Sequence, residues 1–198
     1  VMVLVIPDFL DTLEERQVTS GFAEMLKHGL IRDESYWITL KATTSLQEIK
    51  QQILPSIIIK NNVVLQDPTE QGLRKILNFG HTLGHAVESY RLESKKKATL
   101  LHGEAIAIGM ILEAYLSHKL TGLTLVALEE IKATFLNHYD NIVFSDEDIS
   151  KISELMKYDK KNSHGNINFV LLNSIGEAQI DITVPTELIR ESFAYYAE

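Results

Sequence analysis

The stretch EQGLRKILNFGHTLGHAVES, residues 70–89, is the part of this 198-residue chain that decides how its fold is interpreted. If it forms one helix, a cation, an amide and two imidazoles recur at i, i+4, i+7 and i+11 and share a stripe. Gly80 and Gly84 remove side-chain bulk four residues apart, at roughly 1 kcal/mol each against Ala, which indicates close packing or binding. The polar stripe consists of Arg74, Asn78, His81 and His85.

Two further segments, SGFAEMLKHG at residues 20–29 and LLHGEAIAIGM at residues 100–110, set ionisable groups in or beside apolar helical runs. Such groups are seldom buried without a partner. From spacing alone, His81 and His85 form a candidate metal clamp, because imidazoles at i and i+4 can converge on one ion. The competing interpretation is an amphipathic surface helix whose polar face is solvated.

Composition limits the class of protein. With 45% apolar residues the chain is long enough for one sizeable core. It has no cysteine, so a metal must take nitrogen and oxygen ligands, and a reducing cytosol suits it. A net charge of −8 without a long basic run argues against nucleic-acid binding. Without a signal peptide or an apolar run near the ~20 residues that cross a bilayer, we expect a cytoplasmic protein that does not bind membranes.

The beginning of the chain has a different pattern from the rest. Residues 1–6 are a continuous apolar, β-branched run that ends at Pro7, which is typical of a strand buried on both faces. No stretch in the following hundred residues has the pattern of a partner strand. We therefore expect a chain truncated at its N-terminus, with a strand that pairs across a contact, folds back or is poorly ordered.

The remaining pattern is helical except for one hairpin. Ser20 is a candidate N-cap, and Ser45 with Glu48 has the form of a capping box. Pro55 is expected to kink or split the helix that this box opens. The fold class predicted is mainly α, a multi-helix domain with a small β hairpin. Helical segments are expected at about 13–18, 20–31, 33–41, from 45 onward with a kink or split at Pro55, and at 70–89, 102–120, 124–138, 147–156 and 185–196. The hairpin is expected at 167–172 and 178–183.

Four motifs together resemble the 3-dehydroquinate synthase family, whose members belong to the shikimate pathway of aromatic amino-acid biosynthesis. Their order and spacing make the resemblance specific, and it covers nearly all of the chain. It implies that residues 10–198 are the C-terminal metal- and substrate-binding domain and that residues 1–9 are a remnant strand of an absent N-terminal α/β domain. It also implies a homodimer. The motifs are NFGHTLGHA at 78–86, LHGEA at 101–105, GFAE at 21–24 followed by Lys27, and DKKN at 159–162.

The resemblance also implies a metal site. It assigns Glu24, His81 and His102, from three separate helices, as ligands of a catalytic Zn²⁺ or another divalent metal such as Co²⁺. His85 then faces the substrate, which differs from the clamp that spacing alone suggests. Three ligands with open positions are what a catalytic zinc needs, at roughly 2.0 to 2.2 Å.

A sugar acid phosphate is the substrate that the resemblance implies, and cations would bind its carboxylate and phosphate. Arg can hold a carboxylate with two parallel bonds, whereas Lys offers a point charge. Whether Lys160 or Lys161 points inward stays open. The catalytic candidates are Lys27 and His85, and the substrate-binding candidates are Lys60, Arg74, Asn78, His85 and Lys161.

The implied reaction, catalysed by a phosphate-eliminating lyase and cyclase, converts 3-deoxy-D-arabino-heptulosonate 7-phosphate to 3-dehydroquinate. It uses NAD⁺ as a catalytic cofactor. The sequence has no Gly-rich strand-turn-helix cradle for a dinucleotide, so this chain alone is expected neither to bind NAD⁺ nor to turn over substrate. Three alternatives stay open: a related sugar-phosphate cyclase, a glycerol-dehydrogenase-like metal alcohol dehydrogenase, or a metal-stabilised helical oligomerisation module.

Overall fold

A computed structural model describes residues 4–94, 97–159 and 167–198, with the backbone alone at 157–159. The predicted fold class, mainly α with one small hairpin, is confirmed. Two 3-10 helices, Pro7–Thr12 and Leu73–Asn78, accompany the α-helices. The α-helices are α1 Glu15–Arg32, α2 Glu34–Lys41, α3 Leu46–Gln66, α4 His81–Glu93, α5 His102–Leu120, α6 Leu125–Leu136, α7 Asp146–Asp159 and α8 Thr186–Ala197. The strands are β1 Asn168–Ser174 and β2 Glu177–Thr183.

Helix α5 is the centre of the fold. It is apolar nearly all round, as its sequence predicts, and Ile106, Leu112 and Leu116 are fully buried. It contacts α1, α4, α6, α8 and β1. Among the described helices, none is both long and apolar enough to span a membrane.

Two glycines, which have no side chain, let α5 approach two neighbouring helices closely. A Cβ atom on Gly109 would lie 2.0 Å from the carbonyl oxygen of Gly80, and one on Gly103 would lie 1.8 Å from that of Ser20. Both distances are far shorter than any van der Waals contact, so only glycine permits this packing. The two contacts bring α4 and α1 against α5, and these three helices carry the predicted metal ligands.

Residues 70–89 do not form one helix, so that prediction is wrong. The chain makes the short 3-10 helix Leu73–Asn78, turns at Gly80, and begins α4 at His81. Gly80 has a φ of 78°, a left-handed conformation that residues with a side chain seldom adopt. Apolar spacing continues through the turn, which is why periodicity did not reveal the break.

The helical segments predicted at 13–18 and 20–31 form a single helix, because α1 runs from Glu15 to Arg32 and contains Ser20 in its interior. Ser20 is therefore not an N-cap, and that prediction is wrong. Its hydroxyl accepts a hydrogen bond from the backbone N–H of Gly103 at 3.0 Å. The serine thus holds α1 against the first turn of α5.

In α3, the predicted capping box is confirmed, with Ser45 and Glu48 satisfying each other's backbone N–H groups. Pro55 lies inside this helix, which runs from Leu46 to Gln66, so the helix is not split at Pro55. Residues 4–6 form no strand and are exposed, which corrects that part of the predicted strand at 1–6. Residues 1–3 lie outside the described part.

The hairpin pairs β1 with β2 in an antiparallel register, from Asn168 opposite Thr183 to Ser174 opposite Glu177. Its inward strand is buried at Phe169, Leu171 and Leu172. These side chains belong to the hydrophobic core, where β1 contacts α5. The predicted hairpin is confirmed.

Candidate metal and substrate site

The predicted metal ligands lie together where α1, α4 and α5 meet. The Oε1 atom of Glu24 is 3.4 Å from Nε2 of His81 and 4.0 Å from Nε2 of His102. The His81 and His102 ring centroids are 5.6 Å apart. His81 and His102 are each the first residue of their helices. The glycine contact that sets how closely α4 approaches α5 therefore also sets the distance between the two imidazoles.

The hydrogen bonds of the two imidazoles show that Nδ1 is the protonated nitrogen that points away from Glu24 in each ring. The Nδ1 atom of His81 lies 3.0 Å from the carbonyl oxygen of Phe79, and Nδ1 of His102 lies 3.2 Å from a carboxylate oxygen of Glu88. Both partners can only accept, so each Nδ1 carries the proton. Burial, with the positive charge of Lys27 next, lowers the pKa of His81 to about 4, so its ring is neutral at pH 7. The Nε2 atom of His81 therefore presents a lone pair toward Glu24.

Glu24 presents a second unsatisfied acceptor at the same place. Burial raises its pKa, but the ion pair with Lys27 outweighs that effect, so the net pKa is lowered and the group is a carboxylate. Lys27 donates to Oε2 at 2.8 Å and is itself buried. The other oxygen, Oε1, is buried without a hydrogen-bond partner among the described residues.

This donor set fits a divalent cation. A carboxylate oxygen and the bare Nε2 of His81 face each other at 3.4 Å, which is unfavourable unless positive charge lies between them. Ligand atoms of a tetrahedral zinc at about 2.05 Å lie about 3.4 Å apart. Outer partners that fix ligand tautomers, here the Phe79 carbonyl and Glu88, are also typical of metal sites.

His85 lies in the same cluster, one turn after His81. Its ring centroid is 5.1 Å from that of His81 and 5.7 Å from that of His102. One nitrogen from each of the three rings lies within 4.8 Å of the others. Geometry therefore allows two ligand sets, one with Glu24 and one with His85.

The predicted substrate-binding residues make two sets of contacts. Lys27 and Lys60 are electrostatic neighbours: burial lowers the pKa of Lys27, Glu24 opposes that shift, and the charge of Lys60 lowers the pKa further. Arg74 and Asn78 instead meet at Glu70, which accepts from Asn78 Nδ2 at 2.8 Å and lies 4.0 Å from Arg74 Nε. Lys60 is exposed. Lys160 and Lys161 lie outside the described residues.

Several site residues were missed by sequence reasoning, because each is identified only by a tertiary contact. For Glu88, the one available signal in the sequence was its position three residues after His85, which places the two on the same side of a helix. Glu70 joins Arg74 to Asn78 through a backbone turn that periodicity concealed. Glu113, an acidic residue in the apolar middle of α5, is fully buried against the N-terminus of α4.

The family model for the 3-dehydroquinate synthase C-terminal domain matches residues 21–162. The chain belongs to this family. It is 40% identical over 195 residues to the 3-dehydroquinate synthase of Parabacteroides distasonis, a match that covers 96% of this chain and 55% of that protein. It is 41% identical over 193 residues to that of Listeria monocytogenes serotype 4b, covering 93% and 51%. The chain thus spans about half the length of these relatives.

Two solved structures share the fold of this 3-dehydroquinate synthase family member. A 2-deoxy-scyllo-inosose synthase complexed with carbaglucose-6-phosphate, NAD⁺ and Co²⁺ superposes with a TM-score of 0.75 at 24% identity, covering 96% of this chain and 54% of that one. A 2-epi-5-epi-valiolone synthase from Streptomyces hygroscopicus with NAD⁺ and Zn²⁺ gives 0.75 at 23% identity, with coverage of 96% and 54%. At these identities the likeness establishes the fold alone.

Proposed function

We propose that this chain is the metal- and substrate-binding part of a 3-dehydroquinate synthase. The observation that carries the proposal is the buried Oε1 of Glu24, which faces the bare Nε2 of His81 with no hydrogen-bond partner among the described residues. Membership of the family supplies the reaction. Residues 10–198 would form the working unit, and NAD⁺ would bind in the part of the relatives' length that this chain does not match.

Glu24, His81 and His102 would hold the metal. When bound, a zinc or cobalt ion supplies positive charge that stabilises negative charge on substrate oxygens. Lys27 keeps Oε2 of Glu24 occupied, which leaves Oε1 directed at the two histidines. Glu88 and the carbonyl of Phe79 fix the imidazole orientations.

The remaining candidates would bind the sugar acid phosphate, 3-deoxy-D-arabino-heptulosonate 7-phosphate. Lys27 and Lys60 place positive charge beside the metal ligands, which favours a substrate carboxylate or phosphate there. Arg74 offers a planar donor pair for bidentate binding, while Asn78 offers an amide. Holding a flexible acyclic substrate among fixed groups supplies the orientation that ring closure requires.

His85 lies within reach of the ligand cluster and can accept or hold a proton near bound substrate. Lys161 completes the predicted substrate contacts, although it lies outside the described residues. A cytoplasmic location and a homodimer complete the proposal. Cell fractionation and sedimentation of the protein at the length of its relatives test these two parts.

The enzymatic test joins this chain to the part of the Parabacteroides distasonis enzyme that it does not match. With NAD⁺ and Zn²⁺, the hybrid should release phosphate from the heptulosonate substrate and form 3-dehydroquinate. A hybrid with His102→Ala should lose at least about 100-fold in kcat/KM, because a metal ligand is removed. A folded hybrid that binds NAD⁺ and Zn²⁺ but converts only other heptulose or hexose phosphates would instead identify a related cyclase.

A further inference from the structure

Glu113 is a fully buried carboxylate on α5 that the proposed chemistry does not use. Its Oε2 accepts a hydrogen bond from the backbone N–H of Gly80 at 2.7 Å, and its Oε1 accepts one from that of Leu83 at 3.1 Å. Both donors belong to the beginning of α4. A carboxylate costs several kcal/mol to bury without such partners. The two backbone hydrogen bonds at the beginning of α4 therefore compensate for the burial of this carboxylate.

Helix α4 needs an acceptor from elsewhere because its own N-cap cannot provide one. The first backbone N–H groups of a helix have no intrahelical partner, and an N-cap side chain usually satisfies one of them. The N-cap here is Gly80, which has no side chain. Glu113 satisfies the N–H of Leu83, the third helical residue, and its negative charge lies at the positive end of the helix dipole.

The second hydrogen bond connects Glu113 to a predicted metal ligand. The N–H of Gly80 and the carbonyl of Phe79 belong to the same planar peptide group. Glu113 binds this group on its N–H side, and the carbonyl on the other side accepts from Nδ1 of His81. A charged acceptor on the N–H polarises the peptide and strengthens its carbonyl as an acceptor. Two hydrogen bonds to one peptide group thus link Glu113 to His81.

Glu113 shares its helix with another predicted ligand, because α5 begins at His102. A rigid helix that carries His102 at one end and holds the first turn of α4 further along sets the separation of the two imidazoles. The contact between Gly109 and Gly80 leaves little room for the helices to slide. We propose that Glu113 is a positioning residue, which acts through the 79–80 peptide group to hold His81 in register with His102 and Glu24.

This inference rests on the proposed metal site, so the test measures metal binding and not activity. Zinc affinity of this chain is measured by competition with a chromophoric chelator, and cobalt geometry by visible absorption. Glu113→Gln preserves shape but places an amide NH₂ against one backbone N–H, so affinity should fall about tenfold. The cobalt spectrum should change, because His81 is no longer held at one angle.

Ser117→Ala is the matched control. Ser117 is buried one turn later on α5, and its hydroxyl accepts from Leu172 of the hairpin and donates to the backbone carbonyl of Glu113. Its removal should lower the Tm while leaving zinc affinity and the cobalt spectrum unchanged. If Ser117→Ala weakens zinc binding as much as Glu113→Gln does, or if Glu113→Gln binds zinc within twofold of the unaltered chain, the positioning role is wrong.

A second measurement keeps the inference testable if the Glu113 variants do not fold or if no zinc binds. In the unaltered chain, the amide protons of Gly80 and Leu83 should exchange with solvent as slowly as those in the middle of α5. Rapid exchange at both amides would overturn the proposal. Absence of zinc binding combined with slow exchange would instead remove the metal centre of the proposed function and leave the Glu113 contacts intact.

Discussion

At the scale of single residues, the site depends on which ring nitrogens carry protons. The sequence and its family resemblance name Glu24, His81 and His102, but they do not name the groups that orient the imidazoles. The carbonyl of Phe79 reaches His81 because the backbone turns at Gly80. That turn is a tertiary outcome of packing against α5, so no local pattern predicts it.

Glu88 should contribute to metal affinity through His102. Its carboxylate accepts from Nδ1 at 3.2 Å, which fixes the tautomer and raises the basicity of Nε2. We expect Glu88→Ala to weaken zinc binding by about 10-fold to 100-fold and Glu88→Gln to weaken it less, because an amide oxygen still accepts. Chelator competition measures both, with Glu93→Gln on the same helix as the control. Equal affinities for Glu88→Ala and Glu93→Gln would contradict the assignment.

His28 should make stability depend on pH. It is buried, its Nδ1 lies 2.7 Å from the hydroxyl of Ser56, and burial followed by the charge of Lys27 lowers its pKa to about 4. Below about pH 6.5 the unfolded chain binds a proton on His28 that the folded chain does not bind until about pH 4. The unfolded state therefore binds more protons in this window, and stability falls as the pH falls from 6.5 to 4.

The measurement is urea unfolding of the unaltered chain and of His28→Gln at pH 7 and pH 5. Because only the unaltered chain carries this titration, its stability advantage over the variant should shrink by about 2 kcal/mol between the two pH values. Other histidines with lowered pKa, His81 and His138, contribute equally to both proteins and cancel. An advantage that is constant or grows toward pH 5 would show that His28 is not buried in the neutral form.

At the scale of elements, helix positions are predicted well where apolar periodicity and packing agree. The predicted bounds of α5 match the structure, and the capping box of α3 is confirmed. The prediction of one helix over 70–89 fails where α4 and α5 touch through glycine. A glycine in a sequence lowers helix propensity but does not show which backbone lies against it, so the break at Gly80 was not predicted.

The contact between α4 and α5 should tolerate no added methyl group. A Cβ on Gly109 would lie 2.0 Å from the carbonyl oxygen of Gly80, so Gly109→Ala must push the helices apart. We expect a loss of about 2–3 kcal/mol in the free energy of unfolding, together with weaker zinc binding as His81 moves from His102. Chemical denaturation and chelator competition measure the two effects.

Gly21→Ala is the control for that substitution. Gly21 lies inside α1, three residues before Glu24, and a Cβ atom there meets nothing within 4 Å. Alanine should therefore raise stability by up to about 1 kcal/mol through helix propensity and leave zinc affinity unchanged. If Gly109→Ala were as stable as Gly21→Ala, the close approach of α4 and α5 would be wrong.

At the scale of the whole molecule, the fold class, the hairpin and the family follow from the sequence, because four motifs and a long apolar helix constrain them together. The predicted strand at residues 1–6 fails over 4–6, where the exposed segment has no described partner strand. Apolar content alone predicted burial there, yet burial requires a neighbour to pack against. The residue pattern also does not decide between the two metal ligand sets, because His85 and Glu24 both lie beside His81.

The most direct test of the proposed metal site is zinc binding by four single-residue variants of this chain. We assign Glu24, His81 and His102 to the metal and His85 to the substrate. Glu24→Ala, His81→Ala and His102→Ala should each weaken zinc binding at least about 100-fold, whereas His85→Ala should stay within a few-fold of the unaltered chain. A His85→Ala variant that loses zinc as completely as His102→Ala, beside a Glu24→Ala variant that keeps it, would contradict the assignment.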